Sequence, residues 1–133
     1  MQQIPQDFRD LFEDGTRAFM SLATSMANDK SPQVTPVWFN HDDEYLLINT
    51  AKGRVKDENM RANPEVACLI MDPQDPYRYI QVRGTVEEIV EGEQANEHIR
   101  ELNFKYHGNR DYPIGNQQRV IYKIWPQQIS AKD

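Results

Sequence analysis

Six runs of strand-forming residues, several separated by only a few turn residues, limit this chain to a small antiparallel β architecture. Residues 16–26, 33–39 and 44–50 follow one another across the polar turns Asn28-Asp29-Lys30-Ser31 and His41-Asp42-Asp43. Residues 66–71 and 79–90 flank the loop Asp72-Pro73-Gln74-Asp75-Pro76, and residues 120–129 close the series. Gly84, inside the longest run, predicts a bulge or sharp bend of the kind that curls a sheet toward closure.

Three segments change period. Ile4, Phe8, Leu11 and Phe12 suit a short amphipathic helix over 4–12, ended by Asp14-Gly15. Val55, Asn59 and Met60 place a second helix over 54–62, opened by Gly53 and closed by Asn63-Pro64. Ala95, Ile99, Leu102 and Tyr106 put a third over 93–106. These are too few helices for a doubly wound parallel sheet. The expected fold is mainly β: a six-stranded antiparallel barrel with two to three short helices, one domain over 1–133. A barrel this small leaves an apolar face that a second copy would cover, so a homodimer is expected.

Charge and motif content exclude several functions. The net charge of −6 argues against a general nucleic-acid binder or an anionic-membrane binder. No apolar run approaches the roughly 20 residues that span a bilayer. The first ten residues lack a signal-peptide pattern, so the cytoplasm is the expected compartment. Cys68, within Val66-Ala67-Cys68-Leu69-Ile70, reads as a small buried hydrophobe. His41, His98 and His107 lack zinc-ligand spacing and read as satisfied surface or helix-terminal residues. Glu87 and Glu88, adjacent on a strand, point to opposite faces and read as solvated. There is no serine elbow, phosphate loop or dinucleotide fingerprint, and no catalytic or metal-ligating residue is assigned.

Two clusters stand apart. Lys52-Gly53-Arg54-x-Lys56 puts three cations at the start of the second helix, where the dipole favours anions. That conflict is resolved either by a bound phosphate or by leaving the charges as ordinary solvated surface. Ser31-Pro32-Gln33-Val34-Thr35-Pro36-Val37-Trp38 carries Pro36 within a strand. Such a proline marks a plain sheet edge or a place where another group, such as a flat ring, approaches the backbone.

The order of motifs is specific when taken together. Leu22-Ala23-Thr24 is followed by Pro32 to Trp38, then Ile48-Asn49-Thr50-Ala51-Lys52-Gly53-Arg54. Asn63-Pro64-x-Val66-Ala67, Asp75-Pro76-Tyr77-Arg78-Tyr79 and Val82-Arg83-Gly84 complete it. The chain resembles the pyridoxamine-phosphate-oxidase-like split-barrel superfamily over about residues 8–130, and within it the flavin- and deazaflavin-dependent oxidoreductases. The resemblance implies a homodimer with two cofactor sites, each lined by both subunits. It implies a phosphate against Thr50, Arg54 and Lys56, and a tricyclic ring along Gln33, Val34, Thr35, Pro36, Val37 and Trp38. Asn49 and Lys52 would flank that site. The implied cofactor is FMN or the deazaflavin coenzyme (F-420 type), with hydride passed to or from a small organic substrate. Tyr77, Arg78 and Tyr79 are expected to reach the pocket, and the loop 108–116 is a candidate lid. The oxidase proper has basic residues where Gln33 and Val55 stand here, and a C-terminal basic segment that this chain does not carry, which argues against vitamin oxidation. The competing reading is a non-enzymatic FMN, haem or tetrapyrrole binder or sensor.

Overall fold

Extended runs pair by sequence neighbourhood in this chain, and the computed structural model, which describes residues 1–133, shows how far that carries. The strands are β1 (Met20–Ser25), β2 (Pro32–Val37), β3 (Asn40–His41), β4 (Leu46–Ala51), β5 (Glu65–Asp72), β6 (Asp75–Glu91) and β7 (Arg119–Lys132). Helix α1 spans Val55–Ala62 and α2 spans Glu93–His107. The strands form one antiparallel sheet in the order β2-β1-β5-β6-β7-β4-β3. It is a mainly β, split-barrel-like fold with short helices. The sheet has seven strands rather than six and does not close, because β2 and β3 are unpaired edges. The additional strand, β3, has only two residues, too few for an alternation to be read from sequence.

The sheet curls because its long strands bend. β6 and β7 change register at Arg83/Gly84 and again at Val86/Glu88. Gly84 faces Pro126 at the first shift, and a Cβ there would lie 2.5 Å from the Trp125 carbonyl oxygen. Backbone cannot yield as a flexible side chain does, so only glycine fits. Gly84→Ala is expected to lower unfolding stability by about 2 kcal/mol, the usual cost of overpacking. Chemical denaturation measures this as a lower midpoint with unchanged slope.

Inside the curl lies one apolar cluster. Leu22, Ile48, Ile70, Ile80, Tyr122 and Ile124 supply its sheet side, and Phe8, Leu11 and Phe12 cap it from the N-terminal segment. That segment is a 3-10 helix over Gln6–Phe12 rather than an α-helix over 4–12. Pro5 precedes it in extended conformation and no side chain caps it, so a regular α-helical start is missing. The first strand begins at Met20, not at residue 16, because Asp14–Thr16 makes another 3-10 turn and Arg17 is left-handed. The double-proline loop is shorter than expected. β5 and β6 meet across Pro73-Gln74, and Pro76 lies in an irregularity where it need not donate. Cys68 is buried in the core, where burial pushes its thiol up to about 12. Glu87 and Glu88 are exposed. No helix is long and apolar enough to cross a membrane.

Candidate functional site

The cation cluster is shaped by a buried carboxylate. Gly53 has φ +92°, a turn that few residues other than glycine make easily. Its N–H donates to Asp57 Oδ2 at 2.9 Å. Asp57 Oδ1 accepts from Arg61 Nε at 2.9 Å and also from the Tyr122 hydroxyl. Burial alone would raise the Asp57 pKa, but hydrogen bonds from Tyr122, Gly53 and Arg61 outweigh it and hold the carboxyl below its ordinary range. The Lys52–Arg54 turn is thereby fixed to the core from beneath.

Arg54, from this turn, and Lys56, from the first turn of α1, line a cleft of about 370 Å³. The cleft has two ends of different chemistry. At one end stand Thr50, Arg54, Lys56 and Arg119. At the other stand Phe19, Pro36, Val37, Trp38, Ile99 and Leu102, with Tyr112 between the two. Tyr112 lies 5.1 Å under the Arg119 guanidinium and edge-on to Trp38 at 6.3 Å. Trp38 is stacked on Tyr106, with centroids 5.2 Å apart and planes 12° from parallel. The Tyr106 hydroxyl donates to the Ala18 carbonyl at 2.5 Å, which anchors that platform in the core.

The cationic end is electrostatically incomplete. Thr50 is 1% exposed, and its Oγ1 has no hydrogen-bond partner in the protein. Buried hydroxyls are rarely left so, because the desolvation cost is then uncompensated. Arg119 is 4% exposed and no carboxylate is paired with it. Burial lowers its pKa, and the like charge of Arg54 lowers it further. Lys56 is lowered too, first by burial and then by repulsion from Arg54 and Arg119. Three cations that repel one another, in a cleft that Thr50 also lines, make a donor set that fits a phosphate dianion.

Seven of the twelve sequence-named residues line the cleft: Pro36, Val37, Trp38, Asn49, Thr50, Arg54 and Lys56. Five do not. Gln33 is directed to Thr24, and Val34 is 63% exposed on the outer side of β2. Thr35 lies further along the same edge strand. Lys52 pairs with Glu91 at 3.4 Å. Tyr79 sits on β6 between Met71 and Lys132. Arg78, expected at the pocket, is instead held by Asp10 at 2.7 Å and Asp72 at 3.0 Å and lies over Phe8. Two carboxylates fasten it to the N-terminal segment, and its neighbour Tyr77 is 80% exposed. The loop 108–116 supplies Tyr112 to the cleft and is tied down by Asn103 to Asn109 and Arg110 to Glu97.

Sequence reading missed Arg119, Phe19, Ile99, Leu102 and Tyr112 as lining residues. Arg119 alternates with Val120 and Tyr122, so it reads as solvent-facing; α2 covers that side and buries it. His98 is a correction: it is buried at 4% exposure, not a surface histidine. Burial, with the nearby Arg119 charge, brings its pKa down to about 4. The unfolded chain therefore takes up a proton near pH 6.5 that the folded chain refuses until about 4. Stability conferred by neutral His98 is complete above pH 6.5 and is lost as pH falls toward 4, by up to about 3 kcal/mol. A denaturation series over that range checks this, and His98→Gln should flatten it.

Fold and cleft together define a split-barrel-like protein whose cleft has one cationic and one aromatic end. The sequence profile of pyridoxamine 5'-phosphate oxidase matches residues 4–133, and the chain belongs to that family. Among curated proteins no sequence match is found. Among solved structures, an F420 reductase is 34% identical with a TM-score of 0.79, covering 96% of this chain and 98% of that one. A conserved hypothetical protein from Mycobacterium tuberculosis is 23% identical with a TM-score of 0.76, covering 98% and 85%. The haem storage protein HutZ from Vibrio cholerae is 14% identical with a TM-score of 0.69, covering 95% and 92%, a likeness of fold.

Proposed function

We propose that this chain is an oxidoreductase that binds a phosphate-bearing flavin-type cofactor, FMN or the deazaflavin coenzyme, in this cleft. The observation that carries the reading is that Arg54, Lys56 and the buried, carboxylate-free Arg119 line one cleft, together with Thr50, whose Oγ1 has no partner in the protein. Thr50 would donate to a phosphate oxygen, Arg119 and Arg54 would neutralise it, and Lys56 would be relieved of the repulsion that those two cations exert on it. The apolar wall from Pro36 to Trp38 would hold the flat ring and exclude water. When bound, the cofactor supplies hydride transfer; the residues here orient it and shield it. The 34% identical F420 reductase supports the deazaflavin form, and the phosphate is common to both. Gln33, Val34, Thr35 and Tyr79 lie outside the cleft of one chain, which is consistent with a homodimer in which they face the partner's site.

Turnover tests the reading. Protein loaded with reduced cofactor is mixed with a quinone or nitroaromatic acceptor, and cofactor oxidation is followed by absorbance. Faster oxidation than with free cofactor is expected. Binding without acceleration would place the chain among carriers instead.

A haem-binding reading has one specific point in its favour. His107 is exposed at the end of α2 and lies edge-on to Trp38 at 5.2 Å, beside the cleft. An axial ligand is what such a protein needs. A hemin titration with a Soret shift abolished by His107→Ala would favour that reading; no shift is expected.

A further inference from the structure

One histidine lies behind the cationic end, with every polar atom around it accounted for. Asn49 Nδ2 donates to the Ala95 carbonyl at 2.9 Å and lies 3.1 Å from His98 Nδ1. Asn49 Oδ1 accepts from Arg119 Nε at 2.9 Å. A carbonyl on one side and a guanidinium on the other leave the Asn49 amide only one orientation. Its NH2 group therefore faces His98, so Nδ1 of the imidazole accepts. The ring proton is then on Nε2, which donates to Asn40 Oδ1 at 2.7 Å. The resulting chain runs from β3 through α2 and β4 to β7: Asn40, His98, Asn49, Arg119. It gives the two-residue strand β3 a purpose, since Asn40 is its first residue.

We propose that His98, as the neutral Nε2–H tautomer, is the positioning residue that holds Asn49 and through it aims Arg119 at the bound phosphate. Arg119 has no carboxylate to fix it. Its Nε is held by Asn49, while Nη1 donates to Gln117 Oε1 at 2.8 Å and to the Tyr112 hydroxyl at 3.3 Å. Asn49 is the partner with a rigid backing, and His98 is that backing. Remove the imidazole acceptor and Asn49 loses one of two donor bonds, so its carbonyl is free to swing from Arg119. Partners that orient the ligands of a metal site contribute roughly tenfold to a hundredfold to affinity, and the same order is expected where the oriented group is a phosphate-binding guanidinium.

The inference rests on the phosphate-binding reading, and the test separates the two. Affinities are measured for FMN against riboflavin, and for the deazaflavin coenzyme against its phosphate-free riboflavin-like core, by fluorescence titration. Wild type, Arg119→Ala, His98→Leu and His98→Gln are compared. The expected result is a phosphate-bearing preference in wild type that falls about fiftyfold in Arg119→Ala and about tenfold in His98→Leu. His98→Gln, which keeps a neutral planar end with one acceptor and one donor, should recover most of it. No preference in wild type would overturn the phosphate reading itself. A preference lost in Arg119→Ala but intact in His98→Leu, or equal weakening of both ligands in His98→Leu, would overturn the positioning role alone. Should His98→Leu not fold, long-range proton–nitrogen spectra of wild-type imidazoles decide the matter at neutral pH. The Nε2–H tautomer is expected; an Nδ1–H tautomer or an imidazolium would contradict the chain.

Discussion

The double variant Arg54→Ala, Arg119→Ala should bind FMN and the deazaflavin coenzyme about a thousandfold more weakly than wild type, while affinity for riboflavin changes little. Each lost charge-assisted hydrogen bond is worth about 1.5–3 kcal/mol, and two such losses give that factor. Arg119 should contribute more than Arg54 because it is buried and held, whereas Arg54 is exposed at the helix start. Riboflavin offers the same ring but no phosphate, so it isolates the cationic end from the aromatic wall. Isothermal titration or fluorescence quenching of each single variant and of the double variant would show it. Equal weakening toward riboflavin would mean that the variants damage the cleft as a whole.

Asp57→Ala should lower unfolding stability by about 3 kcal/mol. The carboxylate is 2% exposed and serves Gly53 N–H, Arg61 and Tyr122 together. Its removal strands three donors, although Arg61 is one-third exposed and rehydrates in part. The loss should carry into binding, because the Gly53 turn that presents Arg54 and Lys56 is pinned by this group. The folded pKa is depressed below 3.8, so the wild-type contribution is present above that pH and is lost as pH falls through the folded value. Acid denaturation of wild type should therefore steepen below pH 4, and Asp57→Ala should lack that part of the curve.

Much of this fold was legible because strands and turns are local signals. The six long strands, α2 and the bend at Gly84 all follow from period and glycine placement. Pro36 pointed either to an edge strand or to a group approaching the backbone, and β2 is an edge strand. The N-terminal segment was misread because apolar spacing alone does not distinguish an uncapped 3-10 helix from an α-helix. At the cleft, Arg54 and Lys56 were legible as a local cluster of cations, whereas Asn49 and Thr50 entered only through the family resemblance; all four line the cleft. Arg119 and His98 were not, because their roles depend on α2 folding back over β4 and β7, a long-range event with no local signature. Lys52 was drawn into the same cluster as Arg54 by proximity, yet Glu91 on β6, distant in sequence, takes it.

The most direct measurement is a crystal structure of the protein grown with FMN and, separately, with the deazaflavin coenzyme. The cofactor phosphate is expected within hydrogen-bonding distance of Thr50 Oγ1 and of the Arg119 guanidinium, with the ring against Pro36 to Trp38. A cofactor bound with its phosphate away from Thr50 and Arg119, or a cleft that stays empty at saturating cofactor, would contradict the account.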